Sequence, residues 1–404
     1  MARVGLVLVW LGSVLAGAHV RAETSNEGLR GRVLCGYQGW FAAEGDGAGI
    51  GWRHWKRVGR ENPAENRVTV DLLPDVSEIP AEDRFPLGIV DAAGRPVEVF
   101  SSYRAATVRL HFQWMREYGI DGVFVQRFAT ALSDPAKKSF HDTVLGHCRA
   151  AAKAEHRVYA VMYDLSSMAR GSIGTVLEDW RSLRRSGVDT DHAALRLNGR
   201  PLVAVWGIGF TKGRDYSLVE CRDLVRALRA EGCAVLVGVP TGWRTGVRDA
   251  SPDPMLREIV AAADAVSPWT VGRYRTPDEA SVHAATIWKP DLAWCGERGI
   301  EYLPVVFPGF SWKNLKGGPL DQIPRLRGQF FQRQILEATG VGAQSLYVAM
   351  FDECDEGTAI FKCAEPPRGL SDRFVGLEGV PNDHYLRLAG AARRRLQATT
   401  PRPK

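Results

Sequence analysis

Gly122-Val123-Phe124-Val125-Gln126-Arg127-Phe128 is the stretch that decides the fold: a short apolar run that ends in polar and aromatic residues, with helical spacing before and after it. Before it, Val108, Phe112, Met115 and Tyr118 fall on one helical face and Gly119 marks the stop. After it, a helical segment from Phe140 to Lys153 leads to a second run, Val158-Tyr159-Ala160-Val161-Met162, which ends in Tyr163-Asp164. Apolar runs joined by helices read as parallel strands, because parallel neighbours need crossover connections.

The unit repeats in both directions. Downstream, helices at 173–186, 218–231 and 254–263 precede runs that end at Trp206, at Val239 with Trp243 beyond, and at Pro268-Trp269. A helical stretch from Ala280 to Cys295, interrupted at Pro290, leads to Tyr302-Leu303-Pro304-Val305-Val306 and then Phe307 to Trp312. A helix from Arg325 to Thr339 leads to Ser345-Leu346-Tyr347-Val348-Ala349-Met350, and a closing helix starts near Asp383. Upstream, Arg32 to Tyr37 is the first strand. It opens through Gln38-Gly39-Trp40-Phe41 into a long excursion with the cluster Trp52-Arg53-His54-Trp55 and a hairpin around Asp91-Ala92-Ala93-Gly94. About eight strands alternating with helices predict an α/β fold, a single (β/α)8 TIM barrel with a long first βα loop carrying a β-hairpin. A doubly wound open sheet is the alternative, but no glycine-rich phosphate loop follows any strand.

The chain has 404 residues, 45% hydrophobic and 24% charged, which suits a globular protein and neither a disordered nor a membrane-spanning one. Arg3, the apolar run Val4 to Ala18 and small residues up to Ala22 have the layout of a signal peptide, so secretion or export to a periplasm is expected. The expected division is a signal peptide over 1–22, a catalytic barrel over 23–398 and a disordered tail over 399–404. The formal charge of +6 is spread without a long basic block, so nucleic acid is not an expected partner. Seven cysteines show no CxxC pair or zinc spacing, and whether Cys354 and Cys363 join is left open.

The last strand opens onto Phe351-Asp352-Glu353-Cys354-Asp355-Glu356-Gly357-Thr358, four carboxylates in five positions. Crowded acids at the end of a buried strand shift one another's pKa, as a general acid and base require. A calcium site needs more oxygen ligands than this segment offers, and a solvated acidic loop is the other reading. Glu353 and Glu356 converge only if the chain leaves the strand near Cys354, and Gly357 suits a turn.

Barrel enzymes place working residues at the C-terminal ends of their strands. That rule collects Tyr37, Trp40, Gln126, Arg127, Tyr163, Asp164, Trp206, Trp269 and Asp352, with His54 and Trp55 from the covering excursion, and also Trp243, Phe307 and Trp312. Aromatic faces stack on sugar rings while carboxylates, Arg and Gln bond hydroxyls, so this rim suits a carbohydrate. Each tryptophan could equally pack beneath a loop, His54 could be a packed loop histidine, and Arg127 could neutralise the acids or form a structural ion pair. No nucleophile-elbow serine is present.

Taken together, Val33 to Trp40, Trp52-Arg53-His54-Trp55, Ser101-Ser102-Tyr103 through Gln126-Arg127-Phe128, Phe307-Pro308-Gly309-Phe310 and Glu353-x-x-Glu356-Gly357 resemble the glycoside hydrolase family 99 and family 71 group, the endo-α-mannosidase-like barrels. The resemblance implies a glycoside hydrolase with no cofactor and no metal, acting on an α-linked oligo- or polysaccharide. It implies Glu356 as general acid and base and Glu353 as its partner, acting on the sugar's own 2-hydroxyl to give a 1,2-anhydro intermediate and net retention. Asp352 and Cys354 depart from the family's usual Asn and Trp, and an added buried carboxylate should raise the pKa of its neighbours or require a cation such as Arg127. Two other functions fit the residues: a carbohydrate-binding protein on a barrel that has lost catalysis, and a metal-dependent hydrolase.

Overall fold

Val, Ala and Leu runs buried on both faces build a parallel sheet in the computed structural model, which describes residues 25–59 and 67–399. The expected signal peptide and all but the first residue of the expected tail lie outside these. In chain order the barrel strands are β1 (Val33–Tyr37), β2 (Gly122–Phe128), β3 (Val158–Asp164), β4 (Arg200–Trp206), β5 (Ala234–Pro240) and β6 (Ala265–Trp269). β7 comes in two pieces, Glu301–Tyr302 and Val305–Val306, and β8 is Leu346–Val348.

Pro304 explains the split in β7, because a residue without an N–H cannot continue a ladder. The first piece pairs with β6, Val266 opposite Tyr302, and the second with β8, Val306 opposite Val348. Since β8 also pairs with β1, and β1 through β6 pair in sequence, the ladder returns on itself as an eight-stranded parallel barrel.

The crossover helices carry local start and stop signals. α1 (Ala105–Tyr118) ends at Gly119 in the left-handed region, φ 80°. α2 (Pro135–Ala154) starts with Asp134 accepting from two backbone N–H groups and Pro135 in the first turn. α3 (Gly174–Arg185) is followed by α4 (Leu218–Ala230), which opens with a Ser217–Glu220 capping box. After α5 (Met255–Ala261), α6 (Pro277–His283) runs through a π-helical turn at Ala284–Trp288 into α7 (Lys289–Gly296), where Pro290 sits in the first turn. The expected interruption is therefore a change of helical winding just before the proline. α8 (Lys313–Lys316), α9 (Gln329–Gly340) and α10 (His384–Thr399) complete the set.

The long first βα loop carries the expected hairpin, Phe85–Val90 against Pro96–Val99. It is tied down elsewhere: Leu73–Pro74 pairs with Cys363–Ala364, and the Asp71 carboxylate accepts from the backbone N–H groups of Lys313 (2.7 Å) and Asn314 (2.8 Å) at the start of α8. That second contact puts an anion where a helix N-terminus favours one. All seven cysteines are free and buried, Cys354 and Cys363 included. Among the described residues no helix is long and apolar enough to cross a membrane.

Candidate active site

β8 ends at Val348, inside the run expected to reach Met350, so the chain has left the strand before Cys354 and the acidic stretch is a compact turn beyond it. Gly357 takes φ +65°, the left-handed conformation this turn needs. The turn is fastened from three sides. Arg325 Nη2 donates to the Gly357 and Ala359 carbonyls (2.8 and 2.7 Å), Ser311 N–H to the Glu356 carbonyl (2.9 Å), and Asp71 and Leu72 N–H groups to the Cys354 carbonyl.

This fastening divides the four carboxylates. Glu353 and Glu356 line a cavity of about 680 Å³ at the C-terminal end of the barrel. Asp352 and Asp355 turn away from it. Asp352 is fully buried and accepts from the backbone N–H groups of Gln38 (2.7 Å) and Gly39 (2.9 Å), pinning the chain where it leaves β1. Asp355 meets the His54 imidazole at 3.0 Å.

Glu353 is held at both oxygens. Gln38 Nε2 donates to Oε1 (2.8 Å) and the Thr358 hydroxyl to Oε2 (2.9 Å). Burial, then the nearby charges of Glu356 and Asp355, push its pKa well above the usual carboxylate range. Burial and Asp355 raise Glu356 to about 7, against the pull of Trp312 and Lys316. Burial also raises Asp352, to about 7, with the two backbone N–H groups opposing. In a shared hollow the two carboxyls titrate as a pair, in which one can hold a proton while the other has lost its own, the division of labour a general acid and base need.

The walls are aromatic. Trp40, Phe128, Trp206, Trp269, Phe310 and Trp312 line the cavity, and Gln126 and Asp164 add hydrogen-bonding groups. Trp40 is stacked between His54 (centroids 3.7 Å apart, planes 5° apart) and Phe128 (4.9 Å). Trp206 stands edge-on to Trp269 at 5.3 Å.

Of the residues expected at the site, Trp40, Gln126, Asp164, Trp206, Trp269, Glu353 and Glu356 meet around this cavity, as does Trp312. Tyr37, Arg127 and Tyr163 do not, and the reason is the two-residue period of a strand. Gln126 and Phe128 point inward, so Arg127 between them points out to the helices. There its Nε and Nη2 bond Asp179 of α3 (2.5 and 2.6 Å) and its Nη2 also bonds Asp142 of α2 (2.6 Å). Tyr163 donates to the same Asp179 (2.7 Å), and the Tyr37 hydroxyl meets His111 Nδ1 of α1 (3.0 Å). Arg127 is therefore a structural ion pair and does not neutralise the acidic turn, and among the described residues no cation pairs with Asp352.

Trp55 is buried against Phe41 and Phe100, its indole N–H donating to the Phe100 carbonyl (2.7 Å). His54 stands behind Trp40 and outside the cavity that holds the glutamates, lining two other hollows of about 330 and 740 Å³. Phe307 is buried and Trp243 bonds Asp291 (3.1 Å) beneath the rim. Sequence reasoning missed Phe128, Phe310, Arg273 and Arg275 as cavity residues and Thr358 as a partner of Glu353. Phase would have found Phe128, two residues on from Gln126; the arginines lie in the loop a few residues past Trp269, beyond the strand-end rule. Among the described residues no three His, Cys, Asp or Glu side chains form a group able to hold a metal ion.

No family model and no curated protein matches the chain. Solved structures do. The GH99 endo-α-mannosidase from Bacteroides thetaiotaomicron superimposes with a TM-score of 0.65 at 15% identity, over 92% of this chain and 100% of that one. Its complex with bis-tris-propane gives a TM-score of 0.63 over 92% and 98%. The chain shares its fold with these enzymes. A glycoside hydrolase-like protein is also similar, at a TM-score of 0.53 and 14% identity, over 75% of this chain and 88% of that one. The family 99 resemblance read from scattered motifs is thus present in the fold across nearly the whole described chain.

Proposed function

We propose that the protein is a secreted glycoside hydrolase that cleaves an α-linked oligo- or polysaccharide, with Glu356 as general acid and base and Glu353 as its partner. One observation carries this: the two glutamates open onto a single aromatic-walled cavity of about 680 Å³ at the end of the barrel where such enzymes work. In the proposed sequence a sugar ring stacks on the tryptophan wall. Glu356, with a pKa of about 7, gives its proton to the departing glycosidic oxygen. Glu353, the ionised member of the pair in this scheme, with Gln38 and Thr358 donating to its two oxygens, takes the proton of the sugar's 2-hydroxyl as that oxygen attacks the anomeric carbon. Glu356, now a carboxylate, then removes a proton from the water that opens the 1,2-anhydro sugar, while Glu353 returns its proton to the 2-oxygen. Configuration is retained without a carboxylate nucleophile, so the separation of the carboxyls does not report the stereochemistry as it does in the usual two-carboxylate scheme.

The departures at Asp352 and Cys354 are compatible with catalysis, because neither side chain lines the cavity and the charge of Asp352 is the last of the causes that raise Glu353. The test is incubation of the purified protein with a panel of α- and β-linked polysaccharides, followed by proton NMR of the anomeric signals. Reducing ends of retained configuration are expected from one α-linked polymer. Binding of a glycan with no new reducing end from any polymer would instead make it a lectin-like barrel.

A further inference from the structure

The loop after β6 supplies the cavity wall with Arg273 and Arg275, and the far side of the same loop borders a second cavity of about 490 Å³, where Arg248 joins them. These three guanidinium groups are under-compensated. Arg273 pairs with Asp249 through Nη2 and donates from Nη1 to the Val271 carbonyl (3.3 Å), but its Nε is buried with no hydrogen-bond partner. Arg248 and Arg275 form no ion pair among the described residues. The one carboxylate lining the second cavity, Glu279, is turned to the Arg275 backbone N–H (2.6 Å) and to the start of α6. His283, also on that wall, is held neutral, its pKa driven to about 3 by burial and by Arg248. Arg248 itself sits at φ +61°, a conformation that costs free energy for a residue with a side chain and persists where the surroundings impose it.

A neutral glycan gives such a wall nothing that serine or asparagine could not offer at less cost in desolvation. Guanidinium groups are suited to planar or tetrahedral oxyanions, which they bind through paired, charge-assisted hydrogen bonds. We infer that the saccharide bound by this site is acidic, and that the exposed guanidinium groups of Arg275 and Arg248, with Arg273 beside them, receive a carboxylate or sulfate substituent on a sugar next to the one cleaved. This inference rests on the glycosidase reading and narrows its substrate class.

The experiment is titration calorimetry of the whole protein with uronate oligosaccharides, sulfated oligosaccharides and the neutral counterpart of each, at low and high salt. Arg275→Ala is the test variant, because Arg275 is exposed and pairs with nothing whose loss would disturb folding. Arg185→Ala, at the end of α3, removes the same charge far from the site and controls for nonspecific attraction. The acidic ligands are expected to bind at least about tenfold tighter than the neutral ones, with Arg275→Ala removing that preference and Arg185→Ala leaving it. Whichever arm binds, uronate or sulfate, identifies the substituent. Equal affinity for neutral and acidic ligands, no binding of any, or equal losses in the two variants would overturn the inference. Hydrolysis of a neutral glycan with no acidic preference defeats this inference and leaves the glycosidase reading standing. Arg275-dependent acidic binding without turnover of any polymer does the reverse.

Discussion

Glu356 and Glu353 owe their chemistry to burial more than to each other, and burial has a measurable consequence for stability. An ordinary glutamate titrates near 4.5 and Glu356 in the fold near 7, so the native state holds a proton that the unfolded chain has already released. The stability this contributes is fully present below about pH 4.5 and is lost as pH rises through about 7. Asp352 acts in the same direction over the window from 3.8 to about 7. Thermal unfolding should therefore show the protein less stable at pH 8 than at pH 5. Glu356→Gln should recover roughly 1–3 kcal/mol at pH 8 and little at pH 4, since an amide has no proton to lose. A stability that rises steadily from pH 5 to 8 would contradict the burial of these groups. Trp206, whose ring forms part of the cavity wall and packs on Phe210 and Trp269, is expected to matter for binding: Trp206→Ala should raise KM by roughly tenfold or more, with some loss of stability from the lost packing. Glu353 and Glu356 were legible in the sequence because their spacing forms a motif at a strand end. Tyr37, Arg127 and Tyr163 were assigned to the wrong side, because a strand end specifies which residues are near the rim but not which of two neighbours points inward.

At the scale of elements, the outward-facing residues of β2 and β3 lock the barrel to its helices. Arg127 joins β2 to α2 and α3, and Tyr163 of β3 shares its Asp179 partner. Arg127→Met leaves Asp179 buried with only the Tyr163 hydroxyl and Lys138, 3.6 Å away, for company, and should cost about 3–5 kcal/mol in urea unfolding. Replacing Arg127 and Asp179 together by apolar residues should recover much of that loss. If the single and double variants were equally destabilised, packing rather than charge would be the cause. Inside the barrel, a methyl group on Gly36 would lie 2.1 Å from Met350 Cε and 2.2 Å from the Tyr347 hydroxyl. Gly36→Ala should therefore destabilise by about 1–3 kcal/mol, read from the same urea curves. Helices and strands were legible because each carries its own period, caps and stops, as with Gly119, Ser217 and the hairpin glycine Gly94. The ladder between Leu73–Pro74 and Cys363–Ala364 was not, because two-residue strands far apart in sequence have no pattern of their own, and it lies beside the Asp71 and Leu72 bonds to Cys354 that tie the covering loop to the acidic turn.

For the whole molecule, barrel closure through the divided β7 is what brings β8 beside β1 and so places Gln38, at the end of β1, within reach of Glu353. The alternation of strands and helices predicted an eight-fold barrel, but the joining of its ends is a long-range pairing that sequence periodicity implies only by count. The burial of every cysteine predicts a protein indifferent to thiol reagents: essentially no thiol should react in the native state and all seven in denaturant, and rapid native labelling would show a looser barrel than described. The central claim, that Glu356 protonates a leaving sugar, is tested most directly by comparing wild type with Glu356→Gln on the natural glycan and on an aryl glycoside of the same sugar, whose leaving group needs no proton. The account predicts a loss of at least about 10³-fold on the glycan and a far smaller loss in the bond-breaking burst with the aryl glycoside. Equal losses on both substrates, or undiminished turnover of the glycan, would contradict it.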